Sequence, residues 1–268
     1  MAMDWQPEGP AMLEEIQPKP GQPHTHTVIF LHGRGDTASN FLKGLTHNNT
    51  WTDSQARSPF DIFPTFRWIF PTAGLKPCAR PNGPRVMSQW FDLWDAVSVE
   101  HEMLMQPGLK DSVERIRGLV AEEAARLGGR WDKIVLMGIS QGGATSVHTL
   151  LNLAFPASYT GPKRLGAFVG VSCRLPFLGR NLQQTRSILG LQGVPQGNEV
   201  LVNTPMLLEH CADDQTVLVG SGKQLRDTLR AFGANVEWRE YSEGGHWFKS
   251  PEGLQDWKAF LEKVLPRN

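Results

Sequence analysis

The run Gly138-Ile139-Ser140-Gln141-Gly142-Gly143 directly follows the apolar segment Lys133-Ile134-Val135-Leu136-Met137. A buried strand, a serine flanked by glycines and a following helix make the pattern of a nucleophile elbow, in which a tight strand-to-helix turn presents the hydroxyl. A serine in such a turn holds a strained backbone conformation. Side chains two positions to either side would collide, so Gly138 and Gly142 suit the turn. The helix opening at Gln141 points its first N–H groups and the positive end of its dipole at any charge developing near Ser140.

A serine hydroxyl is a weak nucleophile and needs a base to take its proton. The base in turn needs a carboxylate to set its tautomer and stabilise its cation. In the chain order serine, acid, histidine, Asp213 and Asp214 lie just past the strand candidate Leu207–His210. His246 lies in Glu243-Gly244-Gly245-His246-Trp247, just past Val236–Tyr241, and no other histidine follows the acids. The pattern does not choose between the two aspartates. A tetrahedral oxyanion also needs preorganised N–H donors, each worth about 3 kcal/mol. The Gln141 N–H is one candidate, and the glycine-rich loop His32-Gly33-Arg34-Gly35 offers a second. His32, His148 and His210 read as structural.

These groups need elements to carry them. Met12–Ile16 reads as a short edge strand, and Thr27–Leu31 and Arg67–Phe70 as buried strands. Asp111 with Glu114 resembles a helix cap, opening a helix that aligns Val113, Ile116, Val120 and Leu127. Lys133–Met137 is the strand before the elbow and Gln141–Leu153 the helix after it. Leu165–Val171 and Pro205–His210 are strands, Ser221–Phe232 a helix, and Val236–Tyr241 the last strand. Ser250 as N-cap and Pro251 at the first helical position start the last helix, with Leu254, Trp257, Phe260, Leu261 and Val264 on its buried face. Strands alternating with helices predict an α/β fold, a mainly parallel sheet with helices on both faces. Both acids and His246 then fall at strand C-terminal ends, where such folds build their sites. Residues 1–23 read as an N-terminal extension and 24–268 as one domain. Two irregular stretches, near 47–64 and 179–203, are long enough to be lids or binding loops.

With 268 residues, 40% apolar and 20% charged side chains, and 27 basic against 27 acidic groups, the chain gives no electrostatic reason to expect a nucleic acid or anionic membrane partner. Cys78, Cys173 and Cys211 are too few and too scattered for a disulfide framework or a zinc site, and free thiols suit a reducing compartment. No apolar stretch approaches a membrane span and no secretory signal is visible, so the expected location is the cytoplasm, without stable membrane insertion.

The sequence resembles the acyl-protein thioesterase / carboxylesterase family of serine hydrolases from about Thr27 to Leu265. Phe30-Leu31-His32-Gly33-Arg34-Gly35-Asp36 is similar to that family's oxyanion segment, which implies the backbone N–H of Arg34 as the second donor. Gly138–Gly143 is similar to its nucleophile segment and Gly244-Gly245-His246 to its base loop. His210-Cys211-Ala212-Asp213-Asp214-Gln215-Thr216-Val217 is similar to the acid loop, and the resemblance implies Asp214 as the acid. Ser88-Gln89-Trp90-Phe91-Asp92 and Ser172-Cys173-Arg174-Leu175-Pro176 resemble segments beside the acyl site, which implies Trp90, Phe91, Arg174 and Leu175 as substrate contacts; Trp247, next to the base, is a further candidate. The resemblance implies a single α/β-hydrolase domain with no metal and no organic cofactor.

Two departures concern the substrate. Arg34 stands where the family usually has Leu, and Arg174 where it has Trp, while Leu75–Arg85 is more basic than an alkyl channel should be. An arginine in such a channel must be paired or reach water. The expectation is a serine hydrolase that cleaves esters or thioesters of a small or acylated substrate through an acyl-enzyme, with a short or polar acyl group that Arg34 or Arg174 binds. The alternatives are a biosynthetic hydrolase or lactone-forming acyl transferase and, from another class, a catalytically silent receptor on the same fold.

Overall fold

The computed structural model describes residues 13–47, 51–79, 83–94 and 101–265. Of the elements and segments read from sequence, Met12, the first part of the extension, residues 48–50 and 80–82, and the last three residues lie outside that range. Seven strands form one sheet in the order β1-β3-β2-β6-β7-β8-β9: β1 Leu13–Ile16, β2 His26–Leu31, β3 Phe66–Pro71, β6 Ile134–Ile139, β7 Ala167–Val171, β8 Met206–Cys211 and β9 Val236–Tyr241. Edge strand β1 runs antiparallel to β3, and the other neighbours pair parallel. A separate hairpin pairs β4 (Leu75–Pro77) with β5 (Val86–Ser88).

The period of two along a strand divides the core. Ile29, Leu31, Ile134 and Leu136 face one side, where they meet Val113 and Ile116 of α3 (Met105–Arg126) and Val147 and Leu151 of α4 (Gln141–Leu151). Val28, Phe30, Val135 and Met137 face the other, against Phe41 of α1 (Ala38–Thr46) and Trp257 and Leu261 of α8 (Glu252–Val264). Helices therefore cover both faces, and the chain is an α/β protein with a mainly parallel sheet.

Two helix starts differ from expectation. α3 begins at Met105, so Asp111 and Glu114 lie inside it rather than at its cap. Its buried face reaches back through Leu109 to Met105. Pro107, in the first turn, forfeits no intrahelical bond there. Gly108 lets the helix approach so closely that a Cβ would lie 2.9 Å from Phe91 Cα. At the other end, α8 starts at Glu252 with Pro251 as the cap residue, and Ser250 does not cap it. The Ser250 hydroxyl is used elsewhere: it donates to the Thr52 carbonyl (2.9 Å) and accepts from the Thr52 N–H (3.2 Å).

The irregular stretches are packed. The first holds the short helix α2 (Pro59–Ile62) and buries Trp51 between Phe248 and Trp257, at 5.0 and 5.4 Å between ring centroids. The second holds α5 (Leu182–Ser187) and α6 (Glu199–Asn203). It buries Leu189 and Leu201 together with Arg186, which donates to the carbonyls of Leu151, Pro195 and Gly197. Their lack of periodicity reflects anchors spaced by an irregular backbone. Helix α7 (Val219–Ala231) joins β8 to β9.

Register sets what meets at the C-terminal edge. Leu31 pairs with Gly138 across β2 and β6, which brings the loop after β2 beside the turn after β6. Cys211 pairs with Tyr241 across β8 and β9, which brings the acid loop beside the base loop.

Candidate active site

Ser140 has φ 56° and ψ −123°, a conformation that costs an L-residue about 1–3 kcal/mol and persists only where the surroundings enforce it. The enforcement is steric. A Cβ on Gly138 would lie 2.5 Å from the Gly142 carbonyl, and one on Gly142 would strike the carbonyl oxygens of His32 and Leu31. A Cβ on Gly143 would lie 2.6 Å from Cys173 Cβ. The three glycines thus allow β2, β6, α4 and the end of β7 to close around the serine. Every residue of α4 is buried, so its N-terminal dipole acts across low-dielectric surroundings.

The base loop and acid loop meet as their register requires. His246 Nδ1 lies 2.7 Å from Asp214 Oδ2. An ionised carboxylate only accepts hydrogen bonds, so Nδ1 carries the proton and Nε2 keeps a basic lone pair. Asp214 is 1% exposed, and its other oxygen accepts from the N–H groups of Thr216 (2.8 Å) and Val217 (2.9 Å). Burial works against the charge on Asp214. The bonds from His246, Val217 and Thr216 outweigh it and hold the carboxyl below its ordinary range. Buried His210 sits 3.4 Å from the same carboxylate. Burial lowers its basicity, although the bond it donates to the Val217 carbonyl (2.7 Å) opposes this. A neutral His210 leaves the Asp214 charge to His246.

Asp213 has other partners. It is exposed and accepts from the backbone N–H groups of Gly245 (2.8 Å) and Gly244 (3.2 Å). Those two bonds hold its carboxyl below the ordinary range. The acids left equivalent by sequence pattern are therefore separated by geometry.

The loop after β2 abuts the serine: a Cβ on Gly33 would be 3.5 Å from Ser140 Cβ. The Gly35 N–H donates to the Ser88 carbonyl (2.7 Å). His32 is structural, bonded through Nδ1 to the Gly33 carbonyl and through Nε2 to the Ala73 N–H. Gln141 locks the neighbouring segment, since its side chain accepts from the Trp90 N–H and donates to the Phe91 carbonyl, both at 2.8 Å. Trp90 Nε1 donates to the His32 carbonyl (2.9 Å). Both loops expected to supply oxyanion donors are thereby joined through one segment.

Ser140 and His246 share a cavity of about 590 Å³ with Arg34, Phe91, Arg174 and Trp247. Trp90 and Leu175, expected as substrate contacts, are core residues instead and line no part of it. Trp90 is consumed in bracing the two loops. Leu175 packs into the face that holds α3 and α4. Trp247 stands edge-on to Phe41 and Phe248. Sequence reasoning missed Met87, Leu93, Gln215, Thr216 and Val217 in the lining. The last three directly follow the acids, and that adjacency was the available signal. No described residue of either irregular stretch lines the cavity.

The Arg34 guanidinium is engaged: Nε donates to Gln89 Oε1 (2.8 Å), one Nη lies 3.2 Å from Cys78 Sγ, and Asp92 is 3.8 Å away. Arg34, one of the two arginines expected to meet substrate, is therefore held by the protein. Arg174, also in the cavity lining, contacts Met105 Sδ at 3.9 Å. Burial pushes the thiols of Cys173 and Cys211 up to about 12 and about 11, so neither is a thiolate nucleophile at neutral pH. Among the described residues, no group of three or more His, Cys, Asp or Glu is placed to hold a metal ion. No helix among them is long and apolar enough to cross a membrane.

A family model described as phospholipase/carboxylesterase matches residues 13–265. Acyl-protein thioesterase 1 of Yarrowia lipolytica is 30% identical over 220 residues, covering 81% of this chain and 83% of that protein. Acyl-protein thioesterase 1 of Gibberella zeae is 28% identical over 246 residues, 91% and 92% of the two chains. The crystal structure of Zea mays acyl-protein thioesterase 2 superposes with a TM-score of 0.71 at 23% identity, over 96% of this chain and all of that one, and shares its fold.

Proposed function

The chain belongs to the phospholipase/carboxylesterase family, and from that premise we propose that it is a serine hydrolase acting on carboxylic esters or thioesters through an acyl-enzyme formed on Ser140. In the first step His246 Nε2 takes the hydroxyl proton as Ser140 Oγ attacks the acyl carbonyl. The oxyanion rests against the backbone N–H groups of Arg34 and Gln141 and the positive end of α4. His246 then protonates the leaving alcohol or thiol. Water, deprotonated by the same nitrogen, attacks the acyl-enzyme and releases the acid. Asp214 fixes the tautomer throughout and stabilises the transient imidazolium. The 2.7 Å His246–Asp214 bond, opening on the same cavity as the strained Ser140, carries this reading.

The lining also bears on the acyl group. A long alkyl chain asks for an apolar channel, whereas this cavity sets Arg34, Asp36, Arg174 and Gln215 among its apolar walls. That mixture supports a short or polar acyl group, and Arg174 in the lining is the side chain we would expect to meet it.

One experiment tests both parts: a chain-length series of p-nitrophenyl esters with wild type, Ser140→Ala and Arg174→Leu, beside labelling by a fluorophosphonate probe. Wild type is expected to label and to turn over acetate and butyrate faster than long-chain esters. Ser140→Ala should lose labelling and turnover by about 10⁶-fold. Arg174→Leu should shift preference toward longer chains. Turnover independent of Ser140 would remove the mechanism. A wild-type preference for long chains, unmoved by Arg174→Leu, would remove the short-chain assignment alone.

A further inference from the structure

The second aspartate of the acid loop has no part in the chemistry just described, yet it touches the loop that carries the base. Asp213 receives two consecutive backbone N–H groups, Gly245 at 2.8 Å and Gly244 at 3.2 Å. Successive N–H groups converging on one anion form a nest, a backbone shape that requires unusual dihedrals. Here Gly244 has φ 141° and Gly245 φ 65°. Gly244 also passes so close to the end of β8 that a Cβ would lie 2.6 Å from Cys211 Sγ. The next residue is His246. Two peptides pinned immediately before the imidazole determine where that ring begins.

We propose that Asp213 is a positioning residue for the base: its carboxylate holds the Gly244 and Gly245 peptides in the turn that delivers His246 to Asp214 and to the Ser140 cavity. The proposal rests on the reading of His246 as the base. The two adjacent acids then divide one task, Asp214 orienting the ring and Asp213 the backbone that bears it. Both aspartates lie in the turn that follows β8, and both carboxylates reach the base loop, Asp213 at its peptides and Asp214 at the ring.

The test compares Asp213→Ala and Asp213→Asn with wild type on p-nitrophenyl acetate. Active sites are counted by fluorophosphonate titration, and Ser140→Ala and His246→Ala serve as controls. A misplaced base costs turnover rather than binding. Asp213→Ala is therefore expected to lower kcat per titrated site by about 10- to 100-fold with KM nearly unchanged. Asp213→Asn, whose amide oxygen still accepts from Gly245, should recover most of that loss. Amide exchange at Gly245 should quicken in the Ala variant and much less in the Asn variant. Wild-type kcat per site in Asp213→Ala overturns the proposal, as does equal loss in the Ala and Asn variants. A fall in titratable sites with constant kcat per site would mean that Asp213 only stabilises the fold, and also overturns it. If instead His246→Ala or Ser140→Ala keeps full turnover, the reading of the active site fails, and this proposal with it.

Discussion

The turn around Ser140 is enclosed by backbone and core, whereas the turn around His246 lies half in solvent. At Ser140 the conformation is enforced by what cannot fit: the carbonyls of Leu31, His32 and Gly142 and the Cys173 side chain leave no room for a Cβ at Gly138, Gly142 or Gly143. At His246 it is enforced by what is bonded: Asp213 to two peptides and Asp214 to the ring. Close packing resists displacement strongly but cannot be altered without disturbing the strands it joins. Hydrogen bonds are individually modest but can be changed without unpacking the core. The nucleophile is thus tied to the stability of the sheet, and the base is tied to a local network of acids.

The sharpest break in that contrast would come from adding one methyl group. Gly142→Ala is expected to prevent folding or to lower the melting temperature by about 10 °C, since a Cβ against the carbonyls of Leu31 and His32 has nowhere to move. Thermal denaturation followed by circular dichroism checks this, and a soluble, wild-type-stable variant would contradict the steric account. Asp214→Asn should leave the fold nearly intact, because the amide oxygen still accepts from Thr216 and Val217. Its amide NH₂ turned toward His246 favours the wrong tautomer and should cut kcat by about 10⁴-fold. Steady-state kinetics on p-nitrophenyl acetate reads it. Gly245→Ala is the mild counterpart of Gly142→Ala. Its φ is 65° with open space where the Cβ would go, so only the left-handed backbone resists, at about 1–2 kcal/mol. Stability should drop slightly and kcat by less than tenfold. Loss as severe as in Gly142→Ala would erase the distinction between the two turns.

The elbow could be read from sequence because its determinants are local: a strand, a serine and glycines two residues to either side. The pairing of Leu31 with Gly138 made that reading physical, and the same local logic located β8, β9 and the loops beyond them. Three features escaped it. Trp90 and Leu175 carry the apolar side chains expected of an acyl site, but burial in the core looks the same in sequence as burial against a substrate. Arg34 reads as a substrate contact until Gln89, Asp92 and Cys78 are brought to it from another part of the chain. The start of α3 was misplaced because Asp111 and Glu114 mimic a cap, while the deciding contacts, Gly108 against Phe91 and Leu109 in the core, are tertiary.

From the sequence alone came the α/β class, the serine, the histidine and a pair of acids in the required order, since each is marked by periodicity or by a residue type at a short, fixed spacing. Tertiary structure showed Asp214, which the family resemblance implied and the residue pattern left open, at the imidazole, turned Phe91 and Trp247 to the cavity and Trp90 to the core, and engaged the Arg34 guanidinium. Those choices turn on parallel strand register and on a turn that gives two adjacent carboxylates different partners. Neither is written in the spacing of residues along the chain, because both depend on partners that only folding brings within hydrogen-bond reach.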